Sequence, residues 1–118
     1  MNKLIFSGVA LAFCLQSCTK AIIEEPDKGT LPPIDKKITY NPDVQTIMYN
    51  NCITCHGGSV PSAGLKLNNF ADVKNSAQNG TLVQRMNADV LPMPPSGKLP
   101  AEVLQILDKW KADGFLEN

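Results

Sequence analysis

Five adjacent residues, Cys52-Ile53-Thr54-Cys55-His56, hold the single histidine of this 118-residue chain and two of its four cysteines. Such a cluster constrains the fold, because two thiols and an imidazole at this spacing serve one centre: a disulfide, a redox pair, a metal ion or a covalently attached cofactor. A structural zinc site needs about four N, S or O ligands, so zinc would have to recruit carboxylates. A thioredoxin-like pair sits beside a βαβ pattern, and no strand pattern flanks these cysteines. A plain disulfide accounts for the thiols, leaves the histidine unexplained and closes a loop too short to stabilise much.

The remaining option matches in full, since C-x-x-C-H is the attachment signature of c-type haem. Two thiols add to the two vinyl groups on one edge of a porphyrin, and the adjacent imidazole then reaches the iron from one face. Cys52 and Cys55 are thus the expected covalent links and His56 the proximal iron ligand. With no second histidine, the sixth ligand must be another donor: Met48, Met86, Met93 or a lysine such as Lys98. Met48 lies one turn before Cys52, where its side chain belongs to a helix interface. Met86 shares helical spacing with Leu82 and Val83, the pattern of core filling. Met93 stands in Leu91-Pro92-Met93-Pro94-Pro95, where prolines stiffen the backbone and hold a sulfur at low entropic cost. Met93 is the expected distal ligand, with Met86 as the alternative.

The N-terminus reads Met1-Asn2-Lys3, then an apolar run from Leu4, then Leu15-Gln16-Ser17-Cys18, a pattern of signal-peptide length and too short for a permanent membrane span. Leu-x-Ser-Cys resembles the lipobox of bacterial lipoproteins, which makes Cys18 the expected acylated first residue of the mature chain. Bulky Phe13 before Cys14 disfavours cleavage there. Two or three acyl chains would tether the domain stably at a membrane surface. The expected organisation is a lipoprotein signal peptide over residues 1–17, a flexible charged and proline-rich tether over 18–39, and one folded domain over 40–118.

Within that domain, Asn41-Pro42-Asp43 reads as a helix start, with Val44, Ile47 and Met48 on one face and the chain delivered into Cys52. A glycine-rich loop follows His56. Asn68 or Asn69 caps a short helix carrying Phe70, Val73 and Ala77, and Asn79-Gly80 separates it from another with Leu82, Val83 and Met86. Residues 92–95 exclude regular structure. The clearest helix spans residues 100–113, with Val103, Leu107 and Trp110 on one stripe, Leu104 and Ile106 beside it, and Gly114 as the stop. Its start lacks a side-chain cap, because Leu99 cannot accept a hydrogen bond there. An all-α domain with long connections is expected, and one this small has a core near the limit of self-sufficiency. The formal net charge is zero, and no cluster of Lys and Arg marks a nucleic-acid surface.

With these residues in place, residues 41–115 resemble the class I c-type cytochromes, most closely small exported monohaem domains with an M-P-P distal segment. The matching stretches are Cys52 through His56, Gly64-Leu65-Lys66-Leu67, Met93-Pro94-Pro95-Ser96-Gly97-Lys98-Leu99 and Trp110-Lys111-Ala112-Asp113-Gly114. The resemblance implies one haem c wrapped by helices, His56 proximal and Met93 distal, with N- and C-terminal helices crossing beside the porphyrin and Trp110 in the core of that crossing. The Gly and aromatic pair that many members carry in the first helix is absent, so Ile47, Met48 or Tyr49 is expected to fill the contact. The family often holds the proximal imidazole on a loop carbonyl, here expected near Pro61. Filled axial positions imply an electron carrier rather than an enzyme, with a redox protein as donor and another as acceptor. Its expected place is the cell envelope, facing the periplasm or exterior. The alternative is a haem-based sensing or accessory module that docks on a partner redox enzyme. Leu65, Leu67, Phe70, Leu82, Val83 and Leu91 are the expected apolar contacts of the porphyrin.

Overall fold

The computed structural model describes residues 30–118. The expected signal segment and Cys18 lie outside the described residues. Among those described, five α-helices form one compact unit, Leu31–Asn118: α1 (Gln45–Asn51), α2 (Ile53–His56), α3 (Phe70–Asn79), α4 (Leu82–Asn87) and α5 (Ala101–Ala112). Long connections join them, as the all-α reading expects. α4 packs against both α3 and α5, while α5 also packs against the wide turn Tyr40–Val44 that leads into α1.

Helix entry at Asn41-Pro42-Asp43 differs from the expected arrangement. The Asn41 side chain donates to Asn118 instead of accepting from the turn's N–H groups, so it does not cap. No side chain caps this entry; Asp43, in the first turn, reaches back to accept a hydrogen bond from the Thr39 N–H at 3.2 Å. Beyond it, Val44, Ile47 and Met48 are buried on one face, as their spacing predicts. Asn69 caps α3 by accepting from Asp72 N at 2.9 Å, which places Val73 and Ala77 in the core.

In α5 the buried stripe is Leu104, Leu107 and Trp110; Val103, expected on that stripe, is only partly buried. A Schellman closure ends the helix: Gly114 N–H donates to Lys111 O at 3.1 Å and Phe115 N–H to Trp110 O at 3.0 Å. Gly114 sits at φ +87°, a conformation that disfavours any side chain.

Burial also extends upstream of Tyr40. Ile38 is 1% exposed and Ile34 packs on the core, although both belong to the stretch read as a tether. The Ile38 N–H donates to Asp113 Oδ2, and the following segment pairs with the C-terminus through Tyr40 N–H to Leu116 O (2.8 Å) and Asn41 N–H to Glu117 O (2.9 Å). Ile47 and Met48 are buried in the same core cluster as Leu104, Leu107 and Trp110, and Tyr40 joins them, its ring centroid 6.3 Å from that of Trp110. Tyr49 points to solvent, 72% exposed. Trp110 is fully buried and its Nε1–H donates to Leu116 O, so the C-terminal tail, Tyr40 and α5 close on one another.

Candidate functional site

α1 stops because Cys52 leaves helical geometry (φ −125°, ψ −41°), and the chain restarts as the single turn α2. Cys52 O then accepts from Cys55 N (3.1 Å) and His56 N (2.8 Å), which gathers the two thiols and the imidazole on one side of that turn. The loop leaving α2 must pass close to it: a Cβ on Gly57 would lie 2.5 Å from Ile53 O. Glycine is therefore required at that position by space rather than by dihedral.

From there the chain returns, and Leu67 N–H donates to His56 O at 2.9 Å. His56 Nδ1 lies 3.2 Å from Leu65 O. A carbonyl oxygen only accepts, so this contact selects the tautomer protonated on Nδ1 and leaves the Nε2 lone pair available. The holding carbonyl belongs to Leu65, four positions beyond the expected Pro61.

Cys52, Cys55 and His56 line a cleft of about 440 Å³ that Met86 and Met93 line as well. That volume lies in the range typical of cofactor and ligand sites, roughly 300–1,000 Å³. Leu65, Leu67 and Leu82 contribute apolar surface, with Pro94 and Pro95 beside Met93. Met93 is positioned from α4, because its N–H donates to Arg85 O at 3.0 Å. Met48 is fully buried and lies away from the cleft, and Lys98 is paired with Asp89 at 2.8 Å. Of the apolar contacts expected for a porphyrin, Phe70 packs instead on Tyr40, Val83 faces a different surface hollow and Leu91 is 72% exposed.

Both thiols are free; Cys52 is buried and Cys55 exposed. Burial, and then the neighbouring Cys55, pushes the Cys52 thiol up to about 11, so Cys52 is a neutral thiol at physiological pH. Among the described residues no three His, Cys, Asp or Glu side chains converge as a metal cluster. The donors that do converge are one imidazole, two thiols and two thioethers.

Among the lining residues without a role in the sequence reading are Thr81 and Arg85. They sit one turn apart, a spacing visible in the sequence once the cleft-facing side of α4 is known. No family model, curated protein or solved structure matches this chain.

Proposed function

We propose that the domain is a cytochrome c-like electron carrier with one covalently attached haem, held by Cys52 and Cys55, with His56 and Met93 as its axial ligands. The observation that carries this reading is convergence. The local cluster of two thiols and an imidazole and the Met93 thioether, far from it along the chain, line one apolar cleft.

The residues fit the group chemically. Leu65 O orients the imidazole with Nε2 free, as a metal-bound histidine requires of its other nitrogen. Flanking prolines and the bond to Arg85 O hold the Met93 segment. Leu65, Leu67 and Leu82 exclude water from the cleft walls and lower the local dielectric. When bound, the haem supplies reversible one-electron chemistry, at a potential raised by a thioether ligand relative to two nitrogen ligands. With His56 and Met93 both holding the iron, the chain would leave no open site for substrate, which would make the protein a carrier between a redox donor and a redox acceptor.

The proposed location is the cell envelope, with acylated Cys18 as the anchor; this part rests on the Leu15-Gln16-Ser17-Cys18 sequence alone. Intact mass of the exported protein, made in a host with a haem-attachment system, tests the proposal. The expected mass is the processed polypeptide plus one haem, with loss of the haem mass in the C52A/C55A double variant. A wild-type mass without haem refutes it.

A further inference from the structure

Among the described residues five large apolar side chains are exposed, and four of them, Val60, Leu65, Val90 and Leu91, lie on two connections, residues 57–69 and 88–100. Both connections line the cleft, the first through Ser62, Ala63 and Leu65, the second through Met93, Pro94 and Pro95. Val60 is 91% exposed, Val90 80% and Leu91 72%, and none of the three joins the core cluster. Leu91 also holds φ +53°, a left-handed conformation that costs a residue with a Cβ free energy, while its side chain is turned outward. An uncovered leucine in that conformation gains nothing inside the chain, so what offsets the cost lies outside it.

Charge is nearly absent from these connections. Lys66, Asp89 and Lys98 are their only charged side chains, and the last two pair with each other at 2.8 Å. Such a surface does not steer a charged partner, and it holds none of the Trp, Tyr and Arg anchors that dominate protein interfaces, where Val and Leu are under-represented. Aliphatic side chains on uncharged loops suit a lipid surface better, because insertion there asks for buried apolar area and no matched shape.

Chain length favours the same occupant. The domain holds its N-terminal strap from Pro32 onward: Pro32 O accepts from Gln105 Nε2 at 2.8 Å, Ile34 packs on the core and Ile38 is buried. Residues 19–31 therefore separate the proposed acylated Cys18 from the domain, and even fully extended they span no more than about 45 Å at ~3.5 Å per residue. A domain of this size is about 30 Å across. The anchor would thus keep every face within reach of one bilayer, where a contact too weak to hold alone becomes an intramolecular one. Resting on the Cys18 anchor proposed above, we propose that Val60, Val90 and Leu91 seat in the interface of the bilayer that carries the acyl chains. The cleft then lies against the lipid surface, open to redox partners embedded in the same membrane.

The test is amide hydrogen exchange of the exported, acylated protein on phosphatidylcholine vesicles, compared with its V60D and V90D/L91D variants and with the non-acylated C18S variant in solution. Flotation and intact mass are recorded for each. The substituted side chains on the two connections are exposed, so the fold tolerates the changes. On vesicles the wild-type amides of Asp89, Val90 and Leu91 should exchange at least about fivefold more slowly than in C18S, with α5 unchanged, and the difference should persist in about 0.5 M salt. V60D should still float with the vesicles yet lose that protection, although residues 89–91 are untouched. V90D/L91D should likewise float and lose protection at the Ser59 and Val60 amides. A floating, acylated wild type whose loops exchange as fast as in C18S overturns the proposal and leaves these side chains to a protein partner. Protection that appears in C18S alone as its concentration rises assigns them to a second copy of the chain and overturns the lipid contact equally. A wild-type mass without acyl groups overturns the anchor reading and this inference with it, whatever haem mass it carries.

Discussion

Met93 and Met86 both face the cleft, yet they differ in what else they do. Met86 is 1% exposed and belongs to the core, whereas Met93 is half-buried in a proline-flanked loop. Met93→Ala should therefore leave the fold nearly intact while lowering the potential, abolishing the methionine charge-transfer band and opening the iron to carbon monoxide. Met86→Ala should keep the band and cost about 2–5 kcal/mol of stability by leaving a core cavity, measurable by denaturant titration. The reverse pattern would assign Met86 as the ligand; ready carbon monoxide binding by the wild type would favour the sensing alternative. At this scale, Cys52, Cys55 and His56 were legible because their relation is local. Leu65 O and Arg85 were not, since one depends on how a glycine-rich loop returns and the other on which face of a six-residue helix meets the cleft.

Element boundaries were legible where a side chain makes its own local bond. Asn69 caps α3 as expected, and Asn69→Ala should cost about 1 kcal/mol. Gly114 ends α5 at φ +87° with open space around its Cβ direction, so Gly114→Ala should cost roughly 1–2 kcal/mol through backbone strain alone. Thermal unfolding of both variants checks these figures. What periodicity left out was tertiary. Leu104 and Val103 are adjacent in sequence, and it is the packing of the Tyr40–Val44 turn and α4 on α5, not the period, that leaves Leu104 buried and Val103 only partly so. Likewise Tyr40 fills the place beside Trp110 because its chain segment pairs with the C-terminal tail, a long-range contact with no sequence period.

The whole domain is closed by that pairing of its two ends. Asp113 is central to it: its carboxylate accepts from Lys109 Nζ and from the Ile38 N–H, and these contacts, the lysine first, hold its pKa below the ordinary carboxylate value of 3.8. A carboxylate depressed in the folded state stabilises fully above its unfolded pKa and loses that contribution as pH falls through the folded value. Asp113→Asn should therefore lower stability at neutral pH and flatten the acid limb, so that the two unfolding curves converge once the pH has fallen below the folded pKa of Asp113. A constant gap down to that pH would deny Asp113 this role. The central proposal is one iron centre held by two thioether links to Cys52 and Cys55 and by His56, with the Met93 sulfur as its remaining ligand. The alkaline pyridine haemochrome spectrum of the purified exported protein tests it most directly. The expected result is a c-type spectrum at one haem per chain that survives acidified-acetone extraction; a colourless protein, or haem that extracts freely, would contradict it.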